Sequence, residues 1–302
     1  MQPWVDAWDA ALYGDGGFFV VERPLDHFRT SVAVPLFAQA VRRLAGLVDD
    51  SLGRPDPFDV VDLGAGRGEL LAALPDVPDR WRLTSVDLAP GLPSTLPERV
   101  EGLLLANEWL DDVPCEVLFD DTLVLVDREG SESLGDRASA EALQWRDRWW
   151  PEGRRVEVGL ARDRAWASAV GRLSRGVAVA VDYAHDVGHR RPTLTGYRRG
   201  TQVPPVPDGT CDLTAHVALD SCAAATGGRV VTQRDALAHL GLDPVPPDRS
   251  LATTDPRGYL ALLQRATQAA ELMAPRGLGA FGWLSVAVDC ADPLAAVPAW
   301  GE

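Results

Sequence analysis

Glycine at every second position, directly after an apolar run, constrains this chain more than any other feature. Residues 59–69 read Asp-Val-Val-Asp-Leu-Gly-Ala-Gly-Arg-Gly-Glu. The run from Phe58 to Leu63 carries Asp62 near its end, Gly64, Gly66 and Gly68 follow, and Leu70-Leu71-Ala72-Ala73-Leu74 resumes the apolar pattern. A buried strand, a tight turn and a helix in that order open a nucleotide-type α/β domain. The spacing excludes a dinucleotide fingerprint, whose third glycine would fall on Glu69. A carboxylate there would face a pyrophosphate at the helix start and repel it. The pattern D-x-G-x-G-x-G suits a ligand without phosphates that lies close against the backbone.

Residues 82–88, Arg-Leu-Thr-Ser-Val-Asp-Leu, read as the next strand, with Asp87 at its carboxyl end. A βαβ unit places a ribose hydroxyl acceptor at that distance from the turn, and a carboxylate accepts both hydrogen bonds of a vicinal diol. Taken singly, Asp62 reads equally as a cap of the turn and Asp87 as a helix N-cap. With the glycines between them the ligand reading is preferred. The pattern resembles motif I of class I methyltransferases, and so implies S-adenosyl-L-methionine as cofactor. Asp62, Gly64, Ala65, Gly66, Gly68, Asp87 and Asn107 are the residues expected to bind it.

Composition narrows the class. The chain has 302 residues, 46% hydrophobic and 24% charged, as in an ordinary globular protein. Nothing approaches the roughly 18 apolar residues of a membrane span. The start, Met-Gln-Pro-Trp-Val-Asp-Ala-Trp-Asp, has no basic or apolar leader, so a cytoplasmic location is expected. Cys115, Cys211, Cys222 and Cys290 form no C-x-x-C pair and read as reduced thiols. His185 and His189 are four apart, but Gly188 between them marks a loop, and no metal site is expected. A net charge of −15 argues against nucleic acid as a partner and is compatible with a basic peptide or with solubility alone. The chain contains no Lys, no Ile and a single Asn, Asn107, which fits a GC-rich genome and makes that one Asn informative.

Strands are expected at 58–63, 82–87, 102–107, 176–181, 229–232 and 281–289, with a hairpin over 114–129 turning at Asp120-Asp121. Helices are expected at 31–49, with Val34, Phe37, Ala40, Val41, Leu44 and Leu47 inward, and at 137–149, 161–174, 213–226, 233–240 and 255–273. Pro90, Pro93 and Pro97 between Asp87 and Asn107 leave no room for the usual helix, strand and helix, so an element is lost there. Residues 186–210 form a long Gly/Pro/Arg-rich loop, with Arg190, Arg191, Arg198 and Arg199, expected to fold over the site. Alternating strands and helices imply an α/β fold, Rossmann-like, with a mostly parallel sheet covered by helices on both faces.

Four blocks together resemble the MidA-type methyltransferases. They are Asp62 to Gly68; Ala106-Asn107-Glu108-Trp109-Leu110-Asp111-Asp112-Val113-Pro114; Asp182-Tyr183-Ala184-His185; and Thr193-Leu194-Thr195-Gly196-Tyr197-Arg198-Arg199 continued by Asp212-Leu213-Thr214-Ala215-His216-Val217. The start, Ala11-Leu12-Tyr13 and Gly17-Phe18-Phe19, is also similar, whereas Asp26-His27-Phe28-Arg29-Thr30 departs from the family's G-D-F-x-T. The resemblance covers nearly the whole chain. It implies a single class I methyltransferase domain over 1–302, with a helical extension at 1–53 and insertions at 113–175 and 186–227 forming a substrate-side subdomain. It also implies protein arginine methylation, with a respiratory complex I subunit as the kind of protein substrate, and allows a homodimer.

A guanidinium is protonated at neutral pH, its pKa lying above about 12, so an arginine site needs carboxylates to hold and turn it. Glu108 and Asp111, three apart just past a strand end, can point to one side of a helical turn; the alternative is that they cap the next helix. Asp182 ends an apolar strand and reads as a substrate ligand or as a partner of Thr214 or His216. His185 and His216 read as general bases or as structural residues, with structural roles slightly preferred because a guanidinium proton need be lost only late. Two other functions remain open: a non-catalytic assembly or binding protein on a methyltransferase fold, and a small-molecule methyltransferase.

Overall fold

A computed structural model describes residues 1–21, 30–87, 93–185, 188 and 190–301. The chain runs β1 (Gln2–Pro3), α1 (Trp4–Tyr13), α2 (Phe18–Val21), α3 (Pro35–Ser51), β2 (Phe58–Leu63), α4 (Glu69–Ala72), β3 (Trp81–Val86), β4 (Val100–Asn107), β5 (Glu116–Phe119), β6 (Thr122–Val126), β7 (Glu132–Arg137) and α5 (Ala140–Trp149). It continues with β8 (Arg155–Val158), α6 (Leu160–Val170), β9 (Leu173–Asp182), β10 (Thr195–Arg198), β11 (Thr201–Val203), β12 (Asp212–Thr214), α7 (Leu219–Thr226), β13 (Arg229–Thr232), α8 (Gln233–His239), α9 (Leu251–Thr254), α10 (Pro256–Leu272) and β14 (Gly282–Val288).

The central sheet has the order β13-β14-β9-β4-β2-β3. Its strands β9, β4, β2 and β3 pair in parallel, and β14 is antiparallel to both its neighbours. The sheet is therefore mixed rather than mostly parallel, because the chain returns from α10 in the reverse direction between β9 and β13. The apolar runs of β2, β4 and β9 alternate between two cores, as a strand buried on both faces must. Val60, Leu103, Leu105, Val177 and Val179 join α3, α8 and α10 on one face. Val61, Leu104, Ala106, Ala178 and Ala180 join α6 and α7 on the other. Among the described residues between Asp87 and Val100 there is no strand, and the sheet ends at β3.

A second body forms over the carboxyl edge of that sheet. Five strands, β1, β6, β5, β8 and β7, make an antiparallel sheet, with α1 packed against one face and α5 against the other. Hairpin-length turns such as Asp120-Asp121 permit only antiparallel pairing, which is why these strands differ from the central ones. Residues 195–214 form a third sheet, β11-β10-β12. The indole of Trp8 donates to the carbonyl of Leu213 at 2.9 Å, tying α1 to β12.

Several expectations shift. The segment at 213–226 is not one helix: Asp212–Thr214 pairs with β10, and α7 starts only at Leu219. Leu47 is exposed, and Val48 takes the inward position. The loop at 186–210 carries two strands. Asp26 to Arg29 and His189 lie outside the described residues. Among the described residues no helix is long and apolar enough to cross a membrane.

Candidate active site

The turn after β2 is held by backbone and by Asp87. Gly64, Gly66 and Gly68 all have left-handed φ, at 73°, 59° and 85°. The Gly64 and Ala65 amides donate to the carbonyl of Val86, and the Gly66 amide donates to Asp87 Oδ2 at 2.9 Å. A Cβ on Gly64 would lie 2.8 Å from the ring of Trp109, so the turn and the segment after β4 fit against each other only with glycine there. Asp62 is buried, and burial, reinforced by Asp87 and then Glu69, pushes its carboxyl up to about 8. Three acids around one turn repel a phosphate and favour a ligand rich in hydrogen-bond donors.

The chain leaves β4 through Asn107 and turns at Glu108, whose φ of 51° is left-handed, a conformation that costs a non-glycine residue roughly 1–2 kcal/mol. Glu108 Oε1 accepts from the Ser31 amide at 3.0 Å and from Asn107 Nδ2 at 3.1 Å. Among the described residues, its Oε2 and Asn107 Oδ1 are buried without a partner. Burial, then the neighbouring Asp111, raises the Glu108 carboxyl to about 8. Asp111 Oδ2 accepts from the Thr214 hydroxyl at 2.9 Å, and its Oδ1 is buried with no partner among the described residues. Asp212, across from Tyr197 in the β10–β12 pair, likewise keeps Oδ1 buried and unpartnered among those residues. Burial raises the carboxyls of Asp111 and Asp212, and for Asp212 the charges of Asp111 and Glu108 add to it.

Asp182, read from sequence as a substrate ligand, is fully buried and holds backbone instead. Its Oδ2 accepts from the Leu110 and Asp111 amides at 2.9 and 3.3 Å, and its Oδ1 from the Tyr183 amide at 2.8 Å. It fixes the loop that carries Glu108 and Asp111; Thr214, offered as its partner, bonds Asp111. His185 lies edge-on to Trp150 at 4.7 Å and 5.6 Å from His216 between ring centroids. Burial, aided by His216, Arg190 and Arg162, lowers its pKa to about 3, so it is a neutral imidazole and a poor proton acceptor at neutral pH.

Sequence reading missed Arg162. Its guanidinium is buried and donates to the carbonyls of Val113, Asp111 and His216 at 3.0, 2.8 and 2.8 Å. No motif marks it. Asp212 and Tyr197 stood within the fourth block without a role in the site, and Thr214 was read only as a partner of Asp182. Two cavities adjoin this cluster. One, of about 350 Å³, is lined by Tyr183, Tyr197 and Thr214; the other, of about 690 Å³, by His185, Arg234 and Trp300. Arg191, Thr193 and His216 line both. Among the described residues no group of three or more His, Cys, Asp or Glu is arranged to hold a metal ion.

Two solved structures from Burkholderia thailandensis share this architecture. One is a superfamily member bound to S-adenosyl-homocysteine, the other a native protein of the same superfamily. In each case the identity is 24%, the TM-score 0.74, and the match covers 98% of this chain and 90% of that one. At that identity the likeness speaks for the fold, an α/β methyltransferase-like fold. No protein of curated function matches the sequence. Residues 75–233 match a family described as "Putative S-adenosyl-L-methionine-dependent methyltransferase". The matched stretch begins just past the glycine turn and takes in Glu108, Asp111, Asp182 and Asp212. The chain belongs to this family of methyltransferases, whose cofactor is S-adenosyl-L-methionine.

Proposed function

We propose that this methyltransferase modifies an arginine side chain of a protein substrate, with Glu108, Asp111 and Asp212 holding the guanidinium. One observation carries the reading: among the described residues, each of the three carboxylates keeps one buried oxygen without a hydrogen-bond partner. Buried acceptors left unpaired cost free energy unless a ligand supplies the donors. A guanidinium supplies five N–H groups in a planar fork and remains charged at any relevant pH.

S-adenosyl-L-methionine brings a methyl group on a sulfonium, already a good leaving group. Gly64, Ala65, Gly66 and Gly68 would let it lie against the backbone, and Asp62, Asp87 and Asn107 would accept from its hydroxyl and ammonium groups. The fit rests on the acid-lined turn and on the unpartnered Asn107 Oδ1. The protein's own part is positioning. Asp182 and Arg162 fix the loop, Glu108 and Asp111 turn one guanidinium nitrogen to the methyl, and Glu108, protonated in the free protein and ionised once the guanidinium charge lies beside it, accepts the proton the methylated nitrogen gives up. The strands of 113–175 and the sheet at 195–214, packed with the N-terminal helices, form the subdomain that receives the protein, whereas α7 at the end of the expected 186–227 insertion covers the central sheet. The resemblance to MidA-type enzymes points to a respiratory complex I subunit as the class of partner.

The test is transfer of a radiolabelled methyl group into a lysate lacking the protein, followed by acid hydrolysis and amino-acid analysis. Label in methylarginine is expected. Label recovered only in small molecules, or on another amino acid, sinks the arginine reading and leaves the methyltransferase.

A further inference from the structure

We propose that the 690 Å³ cavity is an anion subsite, in which Arg191 and Arg234 take a carboxylate carried by the same substrate that offers its arginine to Glu108 and Asp111. This inference rests on the arginine-acceptor reading. Neither Arg191 nor Arg234 has an ion-pair or hydrogen-bond partner among the described residues. Their neighbour Arg190 shows the contrast: it is bound to the carbonyl of Trp149 and to Asp220.

Continuity with the acceptor site is built into the lining. The hydroxyl of Thr214 bonds Asp111 and lines the smaller cavity with Tyr183 and Tyr197. That cavity shares Arg191, Thr193 and His216 with the larger one. The shared wall is rigid. Glu157 accepts from the Thr193 and Leu194 amides at 2.8 and 2.7 Å and from the Thr193 hydroxyl at 2.9 Å, and the His216 amide donates to that hydroxyl.

The lining selects the ligand's charge. His185 is neutral, Asp235 is engaged with the Thr232 hydroxyl at 2.6 Å, and two guanidinium groups against that one carboxylate leave a single unit of positive charge. One carboxylate balances it; a doubly charged phosphate would not be compensated. Pro275, Ala280 and Trp300 give an apolar wall for the methylene and backbone groups of an extended peptide. The substrate class is therefore a peptide with an arginine and, a few residues away, an acidic side chain or its own C-terminal carboxylate.

The experiment uses short peptides with a central arginine in an alanine background. One series scans aspartate through the flanks, one scans lysine, and one compares free with amidated C-termini. Methyl transfer and binding by fluorescence anisotropy are both measured. A correctly placed aspartate, or a free C-terminus, is expected to raise kcat/KM about two- to fivefold, as for a charge pair with the exposed Arg191 and Arg234. The gain should shrink with salt. It should vanish in Arg191→Ala/Arg234→Ala and pass to the lysine series in Arg191→Glu/Arg234→Glu. Equal kcat/KM across the series, or the same preference in the variants, overturns the subsite. The acceptor reading is tested separately by replacing the central arginine with norleucine. If binding is then unchanged, that reading fails whatever the flanks do.

Discussion

Acids are buried at both ends of the central sheet, and the two ends treat them differently. At the amino edge, Asp49 accepts from both terminal nitrogens of Arg80 and from the indole of Trp81, and Asp59 accepts from Arg82 Nε at 2.6 Å and the Glu101 amide at 3.0 Å. At the carboxyl edge, Glu108, Asp111 and Asp212 each keep an oxygen with nothing to accept from among the described residues. The chain contains no lysine, so all 29 of its Lys+Arg residues are arginines, and it could have paired the second set as it paired the first. Arg162, a buried guanidinium beside Asp111, binds three carbonyls instead. Acids with full partner sets hold the fold; acids left short of donors are available to a ligand.

The widest gap between the two sets should be in stability. Asp49→Ala strands Arg80 and the Trp81 indole, and is expected to cost about 3 kcal/mol with methyl transfer per folded molecule unchanged. Thermal unfolding followed by a specific-activity assay checks both halves. A wild-type melting temperature would remove the division at its amino end.

At the other edge the expectation reverses. Glu108→Gln and Asp111→Asn should each weaken the acceptor contact by about 1.5–3 kcal/mol, roughly ten- to a hundredfold in kcat/KM, while S-adenosyl-homocysteine affinity and folding persist. Radiolabel transfer paired with calorimetric titration separates the outcomes. Loss of cofactor affinity instead would assign the pair to the cofactor pocket.

Gly66→Val sharpens the boundary between cofactor and acceptor. Its φ of 59° strains a β-branched residue by roughly 1–2 kcal/mol and puts a side chain over the turn. S-adenosyl-homocysteine affinity should fall about tenfold or more, whereas binding of a cationic peptide should not.

The smallest effect is a pH dependence. Asp62 and Glu108 rise from ordinary values of 3.8 and 4.5 to about 8, so the folded protein retains protons that the unfolded chain has released. Their contribution to stability is full below about pH 4 and is lost as pH rises through about 8. Glu108→Gln should therefore favour the folded state more at pH ~8.5 than at pH ~5. Denaturant curves at the two pH values decide it, and an equal effect at both would mean that Glu108 is ionised throughout.

Much of the central sheet was legible. The strand at 58–63 appears at those bounds, and 82–87, 102–107 and 229–232 are found within two residues, because long apolar runs leave few alternatives. That no strand lies among the described residues between Asp87 and Val100 agrees with the prolines there. What was hidden depends on partners distant in sequence. Glu132–Arg137 becomes a strand by pairing with β6, and Arg155–Val158 by pairing with β5. Asp212–Thr214 carries helix-compatible residues but pairs with β10, which lies in a Gly- and Arg-rich stretch without alternation. Within the site, spacing brought out Glu108 and Asp111. It could not show that Asp182 would turn to the backbone, that burial would hold His185 neutral, or that Asp212 and Tyr197 would arrive from a segment a hundred residues away.

Arg162 joins carbonyls at 111, 113 and 216, one stretch before it in the chain and one well after. As the chain leaves the ribosome, the glycine turn and the loop at 107–114 are complete long before His216 appears. A nascent chain halted short of 216 would hold the cofactor turn but not the clamp, and neither Thr214 nor Asp212 would yet be in place beside Asp111. The clamp thus closes only when the fourth sequence block has docked beside the loop at 107–114, so the acceptor half of the site exists only in the folded chain.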